Sequence, residues 1–107
     1  MMVVALAGCG AGSDVSRTLG AICETSADCD GRCLPPSTDY PAGFCTVVCN
    51  ASSECPDAAT CVDDEGGACL FDCVDDASCA FLGTGWRCKE RDVRGVAGGK
   101  AMVCHGD

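Results

Sequence analysis

Phe44-Cys45-Thr46-Val47-Val48-Cys49 and Ala68-Cys69-Leu70-Phe71-Asp72-Cys73 follow one plan. Each places two cysteines four positions apart in a segment of strand composition, with a glycine just upstream (Gly43, Gly67) that suits a hairpin bend. Side chains alternate along a strand, so cysteines four apart point to the same face. Working outward, these segments join three units of four cysteines. The first is Cys23-x5-Cys29-x3-Cys33-x11-Cys45. The second is Cys49-x5-Cys55-x5-Cys61-x7-Cys69, and the third Cys73-x5-Cys79-x8-Cys88-x15-Cys104. The first gap of each unit and the two joints between units are constant, and the remaining gaps vary. Constant gaps mark a rigid frame and variable gaps mark loops. Internal repetition is the strongest signal in the chain.

The loop after each first cysteine is short and polar: Glu24-Thr25-Ser26-Ala27-Asp28, Asn50-Ala51-Ser52-Ser53-Glu54 and Val74-Asp75-Asp76-Ala77-Ser78. Such side chains bond the local backbone and favour turns or a single helical turn. The predicted fold class is small and disulfide-rich: short two-stranded hairpins and loops in three tandem four-cysteine repeats (23–45, 49–69, 73–104), linked end to end, with little helix.

Composition supports covalent stapling. Cysteine makes up 13 of 107 residues, and Leu, Ile, Val and Phe supply only 16 residues after Cys9. That is too few for an ordinary core, so cross-links must hold the chain together. Cross-links persist in an oxidising compartment: the periplasm, a cell surface or the outside. Four cysteines allow three pairings per unit, and pairing across units is the main rival to any of them. The preferred set joins first to third and second to fourth, because interleaved closure makes a compact knot. It comprises Cys23–Cys33, Cys29–Cys45, Cys49–Cys61, Cys55–Cys69, Cys73–Cys88 and Cys79–Cys104.

The formal net charge is −9, unevenly spread. Residues 23–85 hold twelve acids and one base, a net of −11; residues 86–107 hold five bases and three acids, a net of +2. Overall acidity excludes a nucleic-acid partner, which needs a basic face. No run of eighteen apolar residues is present, so no transmembrane helix is expected.

Near the start stands Leu6-Ala7-Gly8-Cys9 after an apolar run. It resembles the lipobox of bacterial lipoproteins, in which the signal segment is cut before the cysteine and the sulfur takes a diacylglyceryl group. The resemblance implies lipidation at Cys9, removal of residues 1–8, a tether over 9–22 and a cysteine-rich region over 23–107. Only eight residues precede Cys9, and none is Lys or Arg, so the signal segment is expected to be truncated. Thirteen cysteines is an odd number, and removing Cys9 leaves an even twelve. Gly10 in place of Asp leans towards the outer membrane by the enterobacterial sorting rule. Residues 10–22 are small, polar and Gly-rich, which reads as a flexible linker with a short strand or turn near Leu19 to Ile22.

The cysteine spacing over 23–104 is similar to the repeats of many bacterial surface lipoproteins, which carry likeness to the Dickkopf N-terminal cysteine-rich domain. That family implies a disulfide module and, in animals, extracellular receptor binding. Together the two resemblances imply a non-enzymatic, lipid-anchored module of a bacterial cell envelope, structural or binding. A secreted Dickkopf-like receptor-binding module is the alternative. A cysteine-rich metal-binding protein is the third reading.

Candidate sites are few. The x3 cysteine pairs fall within zinc spacing, but twelve thiolates at repeat joints with one histidine suit disulfides better, so no metal or other cofactor is expected. There is no C-x-x-C for redox catalysis. His105, beside Cys104, reads as a solvated terminal residue. Asp63-Asp64-Glu65 and Asp75-Asp76 read as solvated turn acids rather than calcium ligands, and Asp28-x-Asp30-Gly31 is only a fragment of an EF-hand loop. Asn50-Ala51-Ser52 fits the N-glycosylation pattern, which bears only on a eukaryotic chain. Trp86 reads as packing on a disulfide or as an exposed contact anchor. Lys89 to Val103 is a long basic segment carrying Lys89, Arg91, Arg94 and Lys100, and it has two readings: an inserted surface hairpin with no ligand, which is preferred, or a binding finger that meets an anionic glycan or an unknown protein.

Overall fold

A computed structural model describes residues 15–107. Six short strands form three antiparallel hairpins, one per unit. β1 (Arg32–Leu34) pairs with β2 (Phe44–Thr46), β3 (Ala59–Val62) with β4 (Ala68–Phe71), and β5 (Trp86–Asp92) with β6 (Lys100–Gly106). Among the described residues helix is confined to four short 3-10 segments, of which Asp76–Leu82 is the longest. The small disulfide-rich class of hairpin repeats with little helix is what the chain adopts.

Each unit is built the same way. Its third and fourth cysteines stand directly opposite one another across the hairpin: Cys33 and Cys45, Cys61 and Cys69, Cys88 and Cys104. These opposed cysteines do not bond each other. The bridges are Cys23–Cys33, Cys29–Cys45, Cys49–Cys61, Cys55–Cys69, Cys73–Cys88 and Cys79–Cys104. A 3-10 turn follows each first cysteine, and the first and second cysteines of the unit reach one strand of the hairpin each, Cys79 from within its turn. Bridges of this kind typically contribute about 2–4 kcal/mol apiece by restricting the unfolded chain.

Polar residues set each turn against its hairpin. The residue three after the first cysteine accepts a hydrogen bond from the amide of the third cysteine. Cys33 donates to Ser26 Oγ at 3.2 Å, Cys61 to Ser52 Oγ at 3.1 Å, and Cys88 to Asp76 Oδ1 at 2.8 Å. The residue five after the first cysteine reaches back to the start of its own loop. Asp28 accepts from the Glu24 and Thr25 amides, Glu54 from Asn50, and Ser78 from Val74 and Asp75. A glycine two residues before the fourth cysteine completes the first two frames. Gly43 and Gly67 both have positive φ, and an added Cβ would stand 1.9 Å from the Cys23 carbonyl oxygen and 2.1 Å from that of Cys49.

The hairpins are not strung end to end. They gather around one core that takes Leu34 and Phe44 from the first unit, Val62, Leu70 and Phe71 from the second, and Trp86 and Val103 from the third. Single backbone bridges stitch them together: Val48 with Ala68, Val62 with Val93, and Asp72 with Val103. Ring contacts cross every boundary. Phe44 meets Phe71 at 6.0 Å and Trp86 at 5.3 Å, and Phe71 meets Phe81 at 5.2 Å. Such pairs are worth about 0.5–1.5 kcal/mol each beyond area burial. Too few apolar residues exist for three separate cores, so pooling them is the only way to bury a useful area.

Thr46 closes the joint between units one and two. Its hydroxyl donates to the Cys69 carbonyl at 2.7 Å and accepts from the Cys69 amide at 2.9 Å, all fully buried. The expected linker is shorter than the sequence indicates. Leu19 is buried, Gly20 donates to the Cys45 carbonyl at 2.8 Å, and Cys45 donates to the Ala21 carbonyl at 2.9 Å. Residues 16–21 therefore dock on β2, driven by burial of Leu19. The signal segment and Cys9 lie outside the described residues.

Candidate functional site

The segment from Lys89 to Val103 is most of a regular hairpin, in line with the surface-hairpin reading. Seven residue pairs run from Trp86 opposite Gly106 to Asp92 opposite Lys100, closed by a turn over 93–99. Its cations are engaged by the acidic body. Arg91 grips Asp64 with Nη2 at 2.6 Å from Oδ1 and Nε at 3.1 Å from Oδ2. Arg94 pairs with Asp63 at 2.7 Å, Lys100 with Asp92, and Arg87 with Asp76 and Asp107. Lys89, opposite Val103 and half-buried, makes no ion pair among the described residues. The basic finger is thus largely neutralised from within. Trp86 is buried against Phe44 and is no exposed anchor; its indole belongs to the shared core.

Most of the acids singled out in the sequence hold the backbone. Asp28 lies below the usual carboxylate range because the Glu24 and Thr25 amides donate to it, and Asp76 does so because the Cys88 amide does. Asp30 accepts from Thr18 at 3.0 Å and pairs with Arg17. Asp75 accepts from the Ser78 amide at 3.0 Å.

The densest polar cluster is one the sequence did not single out as a group. Tyr40 from the loop between β1 and β2, Asp64 from the turn between β3 and β4, Arg91 on β5 and His105 on β6 meet where the three units join. His105 is not a solvated terminal residue: it is only 5% exposed. Its Nε2 lies 3.4 Å from Asp64 Oδ2, long for a hydrogen bond but within ion-pair range, and its ring meets Tyr40 edge-on at 5.4 Å. Asp64 is likewise no solvated turn acid, with its side chain 12% exposed. Burial pushes its carboxyl up, but the His105 and Arg91 contacts outweigh that and hold it below the usual range. The Asp64 contact raises His105 above its ordinary value against desolvation, and burial raises Tyr40.

Around this cluster the first unit's loop docks on the third hairpin. Gly106 donates to the Asp39 carbonyl at 2.7 Å, and a Cβ on Gly106 would stand 1.8 Å from the Thr38 carbonyl oxygen. Arg32 donates to the Glu65 carbonyl at 2.8 Å, which fastens the second unit's turn to the first unit. The tripartite contact was invisible in the sequence because its members are 24, 27 and 14 positions apart in chain order. The one local hint was a lone histidine beside a cysteine of the frame.

Three sulfurs lie within 4.8 Å of one another in each unit: Cys23, Cys29 and Cys33; Cys49, Cys55 and Cys61; Cys73, Cys79 and Cys104. These triplets arise where two bridges run side by side, and bonded sulfurs offer no thiolate to an ion. Two open depressions mark the surface. One lies under the third hairpin's turn, lined by Asp63, Asp92, Val96, Gly98 and Lys100; the other is lined by Ile22, Glu24, Asp28, Pro36 and Ala42. His105 lines neither. No protein-family model, no curated protein and no solved structure matches this chain.

Proposed function

We propose that this chain is a non-enzymatic, lipid-anchored, disulfide-stapled module of a bacterial cell envelope, acting as a structural or binding element. The observation that carries the reading is the cysteine count. Twelve of thirteen cysteines are used in six bridges, four per unit, and Cys9 in its lipobox-like setting is the one left over. Six bridges require an oxidising compartment, which fits an exported chain. A single acyl chain holds a protein only marginally, whereas the three chains of a mature lipoprotein would make attachment lasting.

The polar cluster supports a structural role, because its charged groups face one another between units. Support for an anionic glycan at the third hairpin falls away, since Arg91, Arg94 and Lys100 are engaged by Asp64, Asp63 and Asp92. A partner would meet a surface dominated by uncompensated acids.

Intact mass of the mature protein, before and after reduction with alkylation, tests the reading. The expected result is a diacyl or triacyl mass on an N-terminal Cys9, with twelve alkyl groups gained only after reduction. A secreted chain without lipid would favour the Dickkopf-like receptor-binding reading. Twelve thiols alkylated without reduction would favour metal binding.

A further inference from the structure

His105 is the only histidine in the chain, and both of its ring nitrogens face acceptors. Nδ1 lies 2.8 Å from the Gly106 carbonyl oxygen, which can only accept. Nε2 faces Asp64 Oδ2 at 3.4 Å. That carboxylate also receives two hydrogen bonds from Arg91, so it is ionised and can only accept. Hydrogen on both nitrogens exists only in the imidazolium. A neutral ring here keeps one contact at most and turns a lone pair on the other acceptor.

We propose that His105 is a pH-operated latch across the three-unit junction. Charged, it holds the first unit's loop and the second unit's turn against the third hairpin; neutral, it releases them. The surrounding groups fit that role. On the second unit, Asp64 opposes the ring, and Glu65 follows it in the chain and acts on Tyr40. On the first unit, Tyr40 lies edge-on to the ring, next to Asp39. On the third hairpin, Arg91 works against a charged ring, while Arg87, opposite His105 in the register, is engaged by Asp76 and Asp107.

The working window follows from the directions of the shifts. His105 is raised above its ordinary 6.5, so its contribution is complete below that value and is lost as pH rises through the folded-state value. Asp64 is depressed below 3.8, so its contribution is present above that value and is lost as pH falls through the folded-state value. The latch is therefore closed between the two folded-state values and opens on the alkaline side through His105.

NMR on the full disulfide-bonded protein tests this, since a single histidine gives one ring titration. The exchange of the Gly106 amide, bonded to Asp39 across the junction, is followed over the same pH range and corrected for intrinsic base catalysis. The His105 midpoint is expected above 6.5. Gly106 protection should fall as pH rises from 6.5 through that midpoint, in total by about tenfold for each unit of the elevation. Amides inside the hairpins, such as Cys61, should show no such step. A midpoint at or below 6.5, or Gly106 protection unchanged as pH rises from 6.5 through the midpoint, overturns the latch. H105Q should remove the step while the hairpin amides stay protected; a step that persists in H105Q assigns it elsewhere and also overturns it. Should H105Q not fold, the wild-type titration alone decides.

Discussion

The first and third units share a frame but differ in what they do with it. The first has three-residue strands, and its four cysteines form a small cluster of their own, separate from the shared core. The third has seven-residue strands, and its Cys79 and Cys104 are fully buried in that core. The extra strand length carries Trp86, Arg91, Val103 and His105, the residues through which the third hairpin grips the other two units. The same stapled plan thus gives a cysteine knot set apart from the shared core in the first unit and the organising element of the whole molecule in the third. In a chain poor in apolar residues, the bridges make each unit rigid, and the longest variable gap is where the units acquire a reason to pack together.

Removing bridges gives the strongest test of that contrast. C79A/C104A opens a bridge spanning 25 positions and leaves voids in the core. Its expected cost is about 3–5 kcal/mol, with loosening of the contacts that the third hairpin makes to the other two units. C23A/C33A opens a bridge spanning 10 positions in the separate cluster; about 2–3 kcal/mol is expected, with the second and third units still joined. Denaturant melts followed by Trp86 fluorescence compare the two. Equal effects on the junction would remove the distinction between the units.

Core truncation is the next test. W86A removes the ring lodged against Phe44 and, with the chain's one tryptophan gone, should cost about 3 kcal/mol or more in denaturant melts followed by circular dichroism. A near-neutral W86A would show that the shared core is not what holds the hairpins together. T46V then examines the joint between the first two units. It leaves the Cys69 amide and carbonyl without their buried partner, and about 1–3 kcal/mol is expected. Exchange at the Cys69 amide should rise with it. The smallest effect is expected at the exposed tip of the third hairpin. K100A breaks the pair with Asp92, and its melt should be indistinguishable from wild type, because exposed pairs of this kind contribute little. A clear loss there would show that the tip takes part in holding the fold.

The polar residues that tune each frame were half legible. Their composition in the five-residue gaps pointed to turns, which form at Ser26–Asp28, Ser52–Glu54 and Asp76–Leu82. Their division of labour was not. Ser26, Ser52 and Asp76 serve the third cysteine, while Asp28, Glu54 and Ser78 serve the loop itself. Ser and Asp exchange roles between units because either side chain can accept a hydrogen bond from a backbone amide. In the third unit the surface hairpin was legible and the fate of its cations was not: Arg91, Arg94 and Lys100 find acids within reach only once the strands are formed.

By itself the sequence determined the number of units, the hairpin at each and the scarcity of helix. All of these follow from short-range spacing and composition, which act before any long-range contact forms. Only the tertiary structure decided which of three pairings each unit takes, that the hairpins pool one core instead of lying end to end, that Trp86 is buried, and that His105 meets Asp64. Those outcomes depend on residues from different units arriving at one place. Cysteine spacing constrains the loops within a unit and leaves the relation between units to the few apolar and charged side chains outside the frame.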